Sequence, residues 1–284
     1  MIGVLFDGLA YGSLLFLVSL GLSVQMGLMN FVNLAHGAFA MAGGYVCVVA
    51  MTRFGVPFLA ALPAAFLAAA LAGALLERLL YRRLYGASHL DQVLFSIGLT
   101  FVSIAAATWI FGASQQPMRL PAFLRGQVRF AGADFGIYRL FLLAMVAALT
   151  LALAALLGRT RFGAQVRAAV DDARAARGMG IDVDRVFTAA FALGSGLAGL
   201  GGALGIDVLG LDPAFPLKFM VYFLLVVVVG GAGTLAGPLL AAMILGVCDV
   251  AGKYYVPELG GFVIYAVMVV LLFAFPAGLL GRRA

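Results

Sequence analysis

The chain has 284 residues, of which 64% are hydrophobic and only 11% charged, with a mean hydropathy of +1.12. Soluble globular domains carry about 25% charged residues, so that class is excluded. The net charge of +6 would point to nucleic acid in a soluble chain, but arginines at membrane boundaries account for it here, and no nucleic-acid partner is implied. The composition defines an all-α, polytopic transmembrane helical bundle occupying the whole of 1–284.

Crossing a hydrocarbon core of about 30 Å takes about 20 apolar residues. In chain order, runs near 4–26, 57–79, 90–111, 138–158 and 187–206 meet that length. Shorter or Gly-broken runs lie near 37–52, 217–230, 236–250 and 260–276, so eight or nine membrane segments are expected. The first basic residue is Arg53, so the first run lacks the basic flank of a cleavable signal and is expected to be retained. Placing Arg78, Arg82, Arg83, the segment 159–187, Arg282 and Arg283 inside puts 11 of the 18 basic residues there and 7 outside. With nine segments this bias sets the N-terminus outside. Cys47 and Cys248 lie in apolar runs without metal or disulfide spacing and read as small core residues.

Several features interrupt the apolar runs. Asn30, Asn33 and His36 stand at helical spacing between the first run and a short one that begins at Gly37. Unsatisfied polar groups are costly in lipid, so these three are expected to face protein, water or freed backbone carbonyls. His36 reads either as a hydrogen-bonded structural histidine or as a proton carrier, and no acidic residue accompanies it. Gln92, Ser96, Thr100 and Ser103 recur at helical intervals and either line a translocation path or bind neighbouring helices. Gln25, Thr108 and Ser195 are further polar groups in apolar runs, and Asp249, near the end of its run, is expected at an interface. Gly8/Gly12, Gly201/Gly205 and Gly233/Gly237 are GxxxG pairs that permit close helix contact. The Gly-rich runs near 199–202 and 230–234 can also break a helix. The loop near 112–137 carries Arg119, Arg125 and Arg129 against Asp134. It is an ordinary solvated loop or a docking surface for an acidic partner.

The segment 159–187 is the one long charge-rich stretch, with six arginines and four aspartates. Its Ala-rich centre predicts a helix from about Ala164 to Arg177, ending near Gly178 and Gly180. Arg167, Asp171 and Arg174 are spaced for weak pairs on one face, and Val166, Ala169, Val170, Ala173 and Ala176 form a small-residue face suited to docking. The alternative is a loop that only anchors topology.

The chain lacks the P-loop of ATP-binding proteins, the HExxH zinc motif and the GxSxG elbow. It also lacks the intramembrane carboxylate clusters of ion-coupled carriers. A transporter of this composition is then a passive facilitator or the membrane part of a larger machine.

The stretch Gly21–Val46, GLSVQMGLMNFVNLAHGAFAMAGGYV, resembles the permeases of the branched-chain amino acid ABC importers, LivH type. The central segment is similar to that family's cytoplasmic coupling segment through Gly163, Gln165, Arg167, Ala168, Ala175, Ala176, Gly180 and Ile181. GGAGTLAGPLLAA and FPAGLLG resemble its later segments, whereas Leu34 and Ala274 depart from its usual pattern. The resemblance implies a permease paired with a second related permease, two cytoplasmic ATPases and an extracytoplasmic substrate-binding protein. ATP and Mg would be bound by the ATPases, with no cofactor in this chain. It implies an inner (plasma) membrane location, and coupling through Gly163, Arg167, Ala168, Ala175, Ala176, Gly180 and Ile181, to which the charge spacing adds Asp171. Asn30, Asn33, His36, Gln92, Ser96 and Thr100 are the candidates for the path. The solute is a branched-chain amino acid or a related small polar molecule such as urea or a short amide. Two rivals stay open: a passive channel, and an intramembrane enzyme using Asn33, His36 and Asp249.

Overall fold

The computed structural model describes residues 1–29, 31, 33–118, 120–130, 133–231, 235–276 and 278–280. Asn30, Arg119, Gly233, Arg282 and Arg283 lie outside the described residues. The described chain forms α1 (Ile2–Met29), α2 (His36–Arg53), α3 (Phe58–Leu79), α4 (His89–Phe111) and α5 (Ile137–Arg159). These are followed by α6 (Arg161–Asp171), α7 (Ala173–Gly178), α8 (Val183–Leu209), α9 (Phe215–Gly230), α10 (Ala236–Tyr255) and α11 (Gly260–Ala274). A 3-10 turn, Tyr81–Leu84, joins α3 to α4. By length and composition, six helices suit a membrane crossing: α1, α3, α4, α5, α8 and α10. Five are the long runs expected from sequence, and α10 proves longer than its run near 236–250 suggested. The other short runs become α2, α9 and α11.

One departure from the all-α expectation stands in the 112–137 loop. Strands β1 (Gln127–Phe130) and β2 (Ala133–Gly136) pair antiparallel, with Val128 opposite Phe135 and Arg129 opposite Asp134. Alternation in so short a hairpin is overshadowed in the sequence by the basic residues around it. The hairpin packs beside the start of α1: Phe6 meets Phe135 edge-on at 4.7 Å, and Asp7 pairs with Arg139. From the hairpin α5 runs to Arg159, where α6 begins, and α6 also contacts α1. The bundle thus has a hairpin end and an α6–α7 end.

α8 is the axis of the bundle and packs on α1, α2 and α3. Its glycines allow backbones to touch. A Cβ at Gly21 of α1 would overlap the Gly194 carbonyl, one at Gly43 of α2 would overlap Gly199, and one at Gly202 would overlap the Ala40 carbonyl. Where lipid gives no hydrophobic drive for association, this close approach supplies the dispersion contacts that hold helices together. On the far side of α1, a Cβ at Gly246 of α10 would sit 2.5 Å from the Gly12 backbone. The Gly8/Gly12 pair therefore does what its spacing suggests. Gly201 likewise packs on Val18, whereas Gly205 faces Leu209 of its own helix. Gly210 stops α8 with φ of +74°, a conformation other residues adopt only with strain. The chain then folds back so that Pro216, at the start of α9, lies against Gly37 at the start of α2.

Candidate functional site

At the α6–α7 end, the expected single helix is two. Asp172 leaves helical geometry with φ of −154° and ψ of 100°, and its carboxylate accepts hydrogen bonds from the Arg174 and Ala175 amides at 2.8 and 2.9 Å. That is an N-cap, worth typically about 1 kcal/mol, and it restarts the helix one residue after it stops. Local capping outweighs the helix preference of the alanines on either side. Thr160 caps α6 through the Gly163 amide, and Asp182 caps α8 through the Arg185 amide. Gly180, with φ of +83°, turns the chain out of α7, and the Ile181 amide returns to the Ala176 carbonyl at 3.0 Å.

The small-residue face is already occupied. Val166, Ala169 and Ala176 are buried against Val183 and Val186 of α8, with Leu157, Phe162, Ala173 and Ile181 around them. Val170, by contrast, is 41% exposed. Gly163 is buried because a Cβ there would overlap the Leu157 carbonyl where α5 turns into α6. Of the expected coupling residues, Gly163 and Ala176 therefore hold the segment on its own bundle. Arg167, Asp171, Ala175 and Gly180 are exposed, and Ala168 and Ile181 are half-buried.

The expected ion pairs also differ. Arg167 donates to the Leu157 carbonyl, and among the described residues Asp171 forms no ion pair with Arg167 or Arg174. A carboxylate outside α6 and α7 takes the central place instead. Asp184, in the first turn of α8, bridges Arg82 of the 3-10 turn and Arg177 of α7, the latter at 3.1 Å.

Beside this cluster is a residue that sequence reading passes over. Glu77 is 1% exposed, and its two oxygens accept from Tyr85 Oη at 2.7 Å and Thr188 Oγ1 at 2.6 Å. Charge-assisted bonds of this kind are what a buried carboxylate needs. A signal for it exists: Ala65, Ala69, Gly73 and Glu77 recur every four residues along the buried stripe of α3.

The polar break before α2 is also a built cluster. Asn33 Oδ1 accepts from the Ala35 amide at 3.1 Å and from Tyr81 Oη at 2.9 Å, while Asn33 Nδ2 donates to Gln25 at 3.1 Å. Gln25 reaches the Phe191 carbonyl and Ser195 of α8, each at 3.4 Å. His36 Nε2 donates to the Val18 carbonyl at 2.8 Å, as the structural reading of that histidine expects. Its Nδ1 is buried and, among the described residues, has no hydrogen-bond partner.

Gln92, Ser96 and Thr100 are buried as a stripe on α4. Ser96 and Thr100 donate mainly to carbonyls of their own helix, and Gln92 donates to Leu84 and Ala87 in the preceding turn. Thr100 also lies 3.5 Å from the Leu34 carbonyl. Through that contact the stripe meets the break before α2. An open groove of about 430 Å³ lies at the hairpin end, among Leu120, Leu124, Arg125, Tyr138, Arg139 and Asp207. Arg125 there donates to the Leu120 carbonyl, and Arg129 stands 3.9 Å from Asp134. Asp249 is 1% exposed and bound by Lys253 at 2.6 Å, with the ammonium over the Tyr11 ring. Among the described residues no hydrogen bond or ion pair groups it with Asn33 or His36. Cys47 is buried and Cys248 half-buried, both as free thiols.

These features define a polytopic helical protein with a buried polar break and an ordered charged segment at one end. The family model of the branched-chain amino acid transport system permease component matches residues 4–272, and the chain belongs to that family. It is similar to the high-affinity branched-chain amino acid transport system permease protein BraD of Pseudomonas aeruginosa, at 25% identity over 98% of this chain and 95% of that one. LivH of Salmonella typhimurium is 26% identical over 98% and 94% of the two chains. The probable LivH of Methanocaldococcus jannaschii is 27% identical over 98% and 92%. No solved structure matches the chain.

Proposed function

We propose that the chain is the membrane-spanning subunit of an ATP-driven importer for branched-chain amino acids in a bacterial inner (plasma) membrane. The similarity to BraD and LivH supports this solute; urea or a short amide is the alternative within the same reading. It works with a second related permease, two cytoplasmic ATPases that bind ATP and Mg, and an extracytoplasmic binding protein. In this reading α1, α2, α3, α4, α5, α8, α9, α10 and α11 are nine segments of one permease domain, with the N-terminus and hairpin outside and α6–α7 inside; six of these helices have the length and composition for a crossing.

The observation that carries the coupling proposal is the docking of α6 and α7 on the first turns of α8 through Val166, Ala169 and Ala176. A short exposed loop would absorb a push from an ATPase, whereas a segment packed on α8 passes it to the helix that touches α1, α2 and α3. The opposite face, with Arg167, Asp171, Arg174, Ala175 and Met179 exposed, is the ATPase-facing surface. Asn33, His36, Gln92, Ser96 and Thr100 belong to elements that would rearrange to open a path.

The test is ATP-dependent uptake of leucine, urea and a short amide by proteoliposomes holding the reconstituted complex, for the wild type, Arg167→Glu and Ala175→Trp. The proposal expects saturable leucine uptake in the wild type and its loss in both variants, with the ATPase lost or uncoupled. Solute flux that ignores ATP would identify a passive facilitator, and unchanged ATP-driven uptake in both variants would remove the coupling role of the segment.

A further inference from the structure

We infer that Asp184 is a positioning residue that links movement of α7 to the buried start of α2, through Arg82, Tyr81 and Asn33. The inference rests on the coupled-permease reading and assigns the route by which coupling leaves the α6–α7 segment.

Each link is a contact. Arg177, in the last turn of α7, donates to Asp184 Oδ1 at 3.1 Å, and the other carboxylate oxygen holds Arg82. Arg82 belongs to the same 3-10 turn as Tyr81, so a shift of one moves the other. Tyr81 is completely buried, and its hydroxyl reaches Asn33. Asn33 in turn fixes the turn into α2 by accepting the Ala35 amide. Asn33 also holds Gln25, which touches α8 near Ser195.

The two halves of this route are built differently. Glu77 clamps Tyr85 and Thr188 below the surface, and Tyr81 packs against Phe31, Phe95 and Phe191. That inner half is buried and held on several sides. The outer half is exposed: the side chains of Arg82, Asp184 and Arg177 are 40%, 47% and 58% accessible. Ion pairs this exposed add little to stability, yet here one carboxylate joins three elements: α7, α8 and the 3-10 turn. A contact with little weight in folding but a fixed place between moving parts suits a linkage that must form and release during each cycle.

The experiment uses the full reconstituted complex and reads two rates together, solute uptake and ATP hydrolysis. Asp184→Asn removes both ion pairs, Arg177→Gln removes only the link to α7, and Asp184→Glu keeps the charge. The expected result is a fall of about 10-fold in solute moved per ATP for the first two, within the usual span of coupling effects. ATPase content and thermal midpoint should stay near wild type, and Asp184→Glu should recover most of the ratio. An unchanged ratio in Arg177→Gln and Asp184→Asn would overturn the inference while leaving the coupled-permease reading intact. A lowered midpoint with lost assembly in both variants would also overturn it, since the pairs would then serve folding. Uptake that ignores ATP in the wild type would instead defeat the underlying reading.

Discussion

Across its apolar window α8 is 83% buried, whereas α5, the more apolar of the two, is 17% buried. In water the ordering would be reversed, because burial follows apolar area. In lipid the side chains of α5 lose nothing by facing outward, and Leu151 is 71% exposed. The interior goes to the helix with the smallest side chains, because backbone contact is the attraction that remains. Gly194, Gly199, Gly201 and Gly202 are therefore worth more to this bundle than an outward-facing leucine of α5 such as Leu151.

The sharpest way to break that comparison is a large side chain on each kind of helix. Gly202→Leu must push α2 off α8, because the Ala40 backbone occupies the space. It should cost about 3 kcal/mol, the upper range for overpacking, read as a loss of monodisperse protein and a large drop in thermal midpoint. Gly98→Leu on α4 meets nothing within 4 Å. It should change stability by less than about 0.5 kcal/mol. An effect of Gly98→Leu seen only with a second permease present would make that face a subunit interface.

Next in size is Asn33→Ala. It strips partners from Gln25, Tyr81 and the Ala35 amide inside the small-residue core, and an abandoned buried polar group costs about 1–3 kcal/mol. A midpoint close to wild type in detergent would mean that water replaces the amide, and that the break is wetter than its burial indicates. Asp172→Ala should cost about 1 kcal/mol, seen as faster amide exchange confined to α7. Smallest is Leu151→Ala on α5, expected within about 0.5 kcal/mol by thermal unfolding. A larger loss would show that protein covers that face.

Much of this was legible beforehand, for reasons that differ by element. The long spans follow from composition alone, since a membrane rewards any run of sufficient length. The Gly8/Gly12 contact follows from spacing, and Asn33 and His36 follow from the cost of burying polar groups in an apolar run. The break at Asp172 was hidden because one side chain's hydrogen bonds outweigh a long alanine-rich pattern. The occupant of the small face was hidden too, since Val166 and Ala176 suit a groove of any helix, and only the turn at Gly180 directs them onto Val183. Asp249 lies near the end of its run, a position that does not say whether protein covers its side chain. Three-dimensional packing of α10 against α1 buries it, which no one-dimensional pattern records.

The central functional claim is that one face of α6–α7 is committed to the bundle and the other to an ATPase. Ala175 and Ala176 are neighbours on opposite sides of that division, one exposed and one 2% exposed. Single cysteines at these positions, in a complex whose native cysteines are replaced by serine, can be tested for cross-linking to the ATPase subunit. A strong cross-link from Ala175→Cys and none from Ala176→Cys is the predicted result. Cross-linking from Ala176→Cys alone, or from neither position in an actively transporting complex, would contradict the account.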